Sequence, residues 1–358
     1  MTEPGAIDPS STAAPPAQHV PGVREIVSRS LDLNLAASSD VRRTAVLIGL
    51  LTLAVVGPLV AVVLAIGTRP GGFDWLLLLA NGYQPRQIPL DPAAGMLFLV
   101  VLAIGAGGLT ALSVDSQLLA VIVIASRAIG RTFELRPALQ ISRMRFWRLL
   151  RANVLIGLIL LIPNRVVEQV VSAGRQVTTE SQLVILTIIG VVLSVPFAYV
   201  SAWIILGPVG ARESVRRSWR LARRRLRLAL VIAAVNTAVA TLAGFAIGTG
   251  VDVLYRVATF LGLADSGGIG SLVVLLAIVA AGIVALGSLT MTIAALTAGP
   301  QVVAFLGLTG VTNGLAVVDD PDNPFATPRV EPLVSTPMKV AIAVAVIAGA
   351  LAVVLQLT

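Results

Sequence analysis

The sequence predicts an all-α, polytopic membrane protein: a six-helix core, a seventh C-terminal span, and basic amphipathic helices on the cytoplasmic side. Three observations lead there. Several uninterrupted apolar runs exceed the ~20 residues a helix needs to cross a bilayer core. Charged residues make up only 12% of the chain, against about a quarter in soluble domains, which is too few to coat a water-facing surface. Arginines gather in two dense clusters, each leading into an apolar run.

Taken in order, residues 1–22 are rich in Pro, Ala, Ser and Thr and read as a disordered tail without the apolar core of a signal peptide. The membrane domain is expected over 23–318. It opens with a short amphipathic helix, Val23 to Leu35, whose Val23, Ile26, Val27 and Leu31 share one side and suit a helix lying along the membrane. Thr44 to Ile66 is the first span, with Pro58 inside it as a bend. Gly67 to Gly95 is a loop whose apolar insert, Trp75 to Ala80, is too short to cross and suits the interface. Met96 to Ser126 is the second span, longer than one crossing requires. A basic amphipathic segment, Arg136 to Leu150, leads into a third span at about Phe146 to Val166.

Leu183 to Leu206 crosses back with Pro196 at mid-depth, and Leu228 to Gly250 crosses again. Val251 to Ile269 is expected as an outer loop, and Leu272 to Ala298 as the sixth span, closed by Gly299 and Pro300. Gln301 to Val318 is half apolar and ambiguous; a re-entrant segment or an extra span there would place the C-terminus on the other side. The acidic, Pro-rich residues 319–339 are a linker, and 340–358 hold the C-terminal span. The linker carries Asp319, Asp320 and Asp322, a solvated cluster or a weak calcium site.

Orientation follows from arginine placement. With the N-terminus inside, cytoplasmic segments hold nineteen arginines; the external loops hold five, namely Arg69, Arg86, Arg165, Arg175 and Arg256. The expectation is a multi-pass protein of the cell membrane with a cytoplasmic N-terminus and, with seven spans, an extracytoplasmic C-terminus.

The densest stretch is Gly207 to Gly250. Arg212, Arg216, Arg217, Arg220, Arg223, Arg224, Arg225 and Arg227 crowd it, with Glu213 among them. Val215, Trp219, Ala222, Leu226 and Leu230 recur at steps of three and four, so an apolar stripe is expected to face the bilayer with guanidinium groups around it. A shift of 76 residues lays the first basic segment on the second: Arg136 on Arg212, Ser142 on Ser218, Arg148 on Arg224, and Arg151 on Arg227. This is either a parallel repeat of the kind found in transporters or a likeness of composition. The arginines have three readings: topology, binding of anionic lipid, or nucleic acid. The last lacks base-reading aromatics or a recognisable module, so no nucleic-acid partner is expected.

The passage VPFAYVSAWIILGPVGARESVRRSWRLARRRLRLAL, Val195 to Leu230, resembles a bacterial family. The family is the membrane domain fused to some glycerophosphoryl diester phosphodiesterases, found also as stand-alone uncharacterised integral membrane proteins. Ser214, Ser218, Trp219 and Leu221 carry its small-x-x-x-Ser-Trp-x-Leu pattern after a proline-bearing span. REIVSRSLDL and IGRTFELRPALQISRMRFWRLL fit the same order of elements, and the likeness covers Val23 to Leu308. The chain departs from the pattern at FLGLTGVTNGLAVVDDPD, and it has no barrel-sized soluble region with clustered His, Glu and Asp. The resemblance therefore implies the six-helix core, with no phosphodiesterase activity carried over.

Few residues offer chemistry. There is no cysteine, and the one histidine, His19, lies in the tail, so neither thiol nor imidazole chemistry nor a metal or cofactor site is expected. Asp115 and Arg165 lie ~18 Å and ~21 Å along their helices from the cytoplasmic arginines, which would bring them to one level with Glu168 a turn further out. That level is either a polar cavity or a structural ion pair. Asn236, Thr237 and Thr241 form a polar stripe; Ala240, Gly244 and Gly248 suggest close helix packing within the chain or in a homodimer. The expected function is non-catalytic: a scaffold or regulator of an envelope or lipid-related process. Anionic phospholipid would dock through Arg136, Arg148, Arg151, Arg212, Arg216, Arg220, Arg223, Arg224, Arg227 and Trp219, with a protein partner left open. The alternative is a transporter or flippase-like protein built on Asp115 and Arg165.

Overall fold

A computed structural model describes residues 22–67, 92–131, 133–173, 179–207, 209–260 and 269–316, with isolated positions between 336 and 347. The tail, the loop carrying Trp75 to Ala80, the acidic linker and most of the predicted seventh span lie outside the described residues. Within them all regular structure is helical: α1 (Val23–Ala36), α2 (Ser38–Gly67), α3 (Pro92–Ala128), α4 (Leu135–Ala173), α5 (Thr179–Ser194), a 3-10 turn (Val195–Phe197), α6 (Val200–Leu206), α7 (Ala211–Arg224), α8 (Leu226–Phe260), α9 (Ile269–Thr309) and α10 (Asn313–Ala316). Six stretches have the length and apolarity to cross a membrane: Ser38–Pro58, Ala103–Ala128, Leu135–Pro163, Thr187–Leu206, Leu226–Gly250 and Ala277–Thr309.

The centre is α3. Leu118 through Ala125 are all buried, so the helix is covered on every side, which explains why its sequence is apolar all round instead of striped. Around it stand α2, α4 and α9, with α8 against α9 and α5. A close crossing joins the first span to the sixth. A Cβ on Gly49 would meet Ser288 Oγ and Val284 O at 2.6 Å; one on Gly287 would meet Gly49 Cα at 2.8 Å. Backbones this close need small residues, and Ser288 Oγ donates across the crossing to Ala45 O at 3.1 Å.

The arginine-rich end of the bundle is tied by an ion pair. Arg127, in the last turn of α3, donates through Nε at 2.9 Å and Nη2 at 2.6 Å to Asp40 Oδ2 in the first turn of α2. Each charge also sits at the helix end its sign favours. Asp40 is buried, so Arg127→Gln strands its carboxylate. Discounted for the partial exposure of Arg127, a loss of about 1–3 kcal/mol is expected, read as a lowered Tm. Exchanging the two residues should rescue only part of it, because both charges then oppose their helix ends.

Several expected boundaries are corrected. Pro300 does not close the sixth span: α9 runs through it to Thr309, where Gly310 at φ +63° ends the helix. This end of α9 packs against α1, with Ser30 and Asn34 beside Gly299. Gln301 to Ala316 is thus the end of α9 plus the short α10, not a re-entrant segment. The outer loop expected from Val251 is helix as far as Phe260, since nothing from Val251 to Phe260 is Gly or Pro. Pro196 breaks the fourth span, leaving the 3-10 turn between α5 and the seven-residue α6. The first basic segment and its span are one helix, α4, whereas the second pair is split at Arg225 (φ −138°, ψ 59°) into α7 and α8.

On α1, Ile26 and Ser30 face the bundle while Val23, Val27, Leu31 and Leu35 are exposed, an apolar edge of the kind an interfacial helix shows to lipid.

Candidate functional site: a basic face with exposed tryptophans

α7 turns an unexpected side to the protein. Its buried residues are Ser214, Ser218 and Ala222, spaced by four, while Trp219 is 45% exposed and Leu226 and Leu230 are exposed beyond it. The stripe read from the sequence therefore splits: Ala222, with the part-buried Val215, packs inward and Trp219, Leu226 and Leu230 point out. The reason lies in hydrogen bonding. Ser218 Oγ donates to Pro196 O at 2.7 Å and accepts from Tyr199 N–H at 3.1 Å, replacing partners that the break in the fourth span removes.

That choice of face leaves the arginines outside. Arg212, Arg216, Arg220, Arg223, Arg224 and Arg227 are all exposed, as are Arg136, Arg148 and Arg151 on α4. At 100° per residue, Arg212, Arg216 and Arg223 fall within ~60° of Trp219 around the helix. The Arg223 guanidinium lies 5.9 Å from the Trp219 ring, a cation–π contact. Arg217 is engaged differently. Its Nε donates to Glu213 Oε1 at 2.8 Å, and its guanidinium lies 5.2 Å from the Trp203 ring. That hydrogen bond holds the Glu213 carboxyl below its ordinary range. On α4, Trp147 is 56% exposed between Arg145 and Arg148. Arg145, absent from the residues expected to bind lipid, is buried, and its Nη1 has no hydrogen-bond partner among the described residues. Nothing in the run RMRFWR distinguishes it from its neighbours until the helix is packed.

The Asp115–Arg165 level does not form. Asp115 is buried and accepts from Ser142 Oγ at 3.3 Å, with the charge of Arg143 close by. Arg165 is exposed and lies twenty-three residues beyond Ser142 on the same helix, ~35 Å along its axis. The side chain of Glu168 lies outside the described residues. Helix counting from the arginines placed the two charges at one height, but Asp115 packs against the start of α4 instead of its far end. Ser142 and Ser218, aligned by the 76-residue shift, do share a role: each is fully buried and ties a basic helix to the span before it.

Ala240, Gly244 and Gly248 are all exposed, and among the described residues a Cβ on Gly244 or Gly248 meets nothing within 4 Å. The close approach is at Gly49 and Gly287 instead. Asn236 is inside the bundle, where its Oδ1 is buried. Among the described residues no group of three His, Cys, Asp or Glu is placed to hold a metal ion.

These helices define an all-α, multi-pass membrane protein. Compared with protein-family models, with curated proteins and with solved structures, the chain matches none.

Proposed function

We propose that this chain is a non-catalytic integral membrane protein of the cell membrane. In this reading it scaffolds or regulates a lipid-related process by docking anionic phospholipid on its basic face, and it shares the architecture of the phosphodiesterase-linked membrane domains that Val195 to Leu230 resembles. The observation that carries the reading is the packing of α7. The helix gives its serine face to the protein and keeps its arginines, with Trp219, at the surface. A tryptophan flanked by guanidinium groups suits the headgroup layer, where each basic residue contributes ~1 kcal/mol of attraction to anionic lipid. Arg145 adds a buried guanidinium with an unused donor next to Arg148, a fit for a phosphate oxygen.

The test is native mass spectrometry of the purified protein, wild type against a variant with Gln at Arg216, Arg220, Arg223 and Arg227. Wild type should retain phosphatidylglycerol or cardiolipin, and the variant should retain at least tenfold less. Equal retention by both forms would reduce the arginines to a topological role and end the docking proposal.

A further inference from the structure

We infer that the cavity beside the broken fourth span binds the uncharged, hydroxyl-bearing headgroup of a lipid that enters sideways between α5 and α8. The cavity holds about 250 Å³, roughly the room of eight waters. Gln117 of α3, Asn153 of α4, Ser201 of α6, Asn236 of α8, and Thr297 and Gln301 of α9 all line it. Each of these helices contributes to a crossing stretch, and Asn236 lies ten residues into its own, ~15 Å from the arginine-rich end. Polar side chains at that depth are costly unless they are hydrogen-bonded.

The cluster is only part-satisfied by itself. Asn153 Nδ2 donates to Gln117 Oε1 at 3.4 Å, and Ser201 Oγ donates to Gln301 Oε1 at 2.9 Å. Among the described residues, Asn236 Oδ1 is buried without a hydrogen-bond partner. A carboxamide oxygen in that position needs a donor, which a hydroxyl supplies and an ester or ether does not. Among the described residues lining the cavity none is charged, so a phosphate would enter with its charge uncompensated, whereas a neutral hydroxylated group exchanges water for amide and hydroxyl partners. Headgroups of the two chemistries are thereby sorted to two places, anionic ones to the arginines and neutral ones to this cavity.

The route in is lateral. A crevice of about 500 Å³ adjoins the cavity, sharing Phe197, Ala198 and Asn236 with it. Its remaining wall includes Ser194 of α5 and Thr237 and Thr241 of α8, and Thr241 is exposed at the flank of the bundle. Acyl chains belong on that flank, which is why the ligand is assigned as a lipid. The break at Val195–Phe197 supplies the irregular backbone that membrane proteins tolerate only where it is buried or lines a cavity.

The full chain in detergent is offered monogalactosyl diacylglycerol, phosphatidylglycerol or free galactose, and adducts are counted by native mass spectrometry. Asn236→Leu and the isosteric Thr297→Val are compared with wild type, each checked by its melting curve. Wild type should hold the neutral glycolipid. Asn236→Leu should lower that adduct at least tenfold and Thr297→Val about threefold, with phosphatidylglycerol retention unchanged. The four-arginine variant should show the opposite pattern, so the two lipid sites fail independently. Glycolipid retention unaffected by Asn236→Leu would overturn the site. Binding of free galactose without the glycolipid would overturn the lipid assignment. Where Asn236→Leu fails to fold, an unchanged adduct in Thr297→Val overturns the site equally.

Discussion

Gly287→Val is expected to abolish accumulation of folded protein, while Gly244→Val leaves it unchanged. Both glycines sit in apolar spans, and the difference is what each faces. A Cβ on Gly287 lands on Thr52 and within 2.8 Å of Gly49 Cα, so the new side chain must push backbone from backbone. Overpacking typically costs about 1–3 kcal/mol when side chains give way. Here the obstacle is the main chain of α2, so the upper end of that range or more is expected, a large share of a marginal ~5–15 kcal/mol. Separation would also break the Ser288 to Ala45 hydrogen bond. Among the described residues a Cβ on Gly244 meets nothing within 4 Å, so Val adds only an exposed side chain. Detergent-solubilised yield and melting of the two variants provide the comparison; equal behaviour would refute the close crossing.

Ser218→Ala should be the most costly single-atom deletion in the chain. The hydroxyl serves Pro196 C=O and Tyr199 N–H together, and both are backbone groups at a break in a span. Its loss leaves two buried polar groups unpaired at about 1–3 kcal/mol each, so about 2–6 kcal/mol in total. Ser218→Thr keeps the oxygen and should lie between alanine and wild type. A fall in Tm of the alanine variant no larger than that of an exposed control, Arg224→Ala, would show that the break is satisfied by other means.

The spans were legible because twenty consecutive apolar residues have few other uses, and the exposed arginines because charge stays out of hydrocarbon. Which face of α7 meets the protein was not legible. Lipid is as apolar as leucine, so the apolar stripe has no reason to turn inward, and the small serine face wins through two hydrogen bonds. The Asp40–Arg127 pair and the partners of Asp115 escaped for a related reason: height along a helix can be counted, but neighbours cannot. The GxxxG at Gly244 and Gly248 is conspicuous yet meets no described residue within the chain, whereas Gly49 and Gly287 are each unremarkable until they meet. In the sequence Asn236 is one member of a polar stripe; the cavity around it takes side chains from five helices, which a linear pattern does not display.

The crossing of the first and last described spans also sets a timetable. Ser288 and Ala45 are 243 residues apart, and a ribosome adding about 5–20 residues per second needs roughly 10–50 s to make that interval. Throughout it α2 stands in the bilayer with its glycine groove unfilled, beside α3 but without its principal neighbour. The surface of α2 around Gly49 and Thr52 therefore stays without its protein cover until α9 has been made.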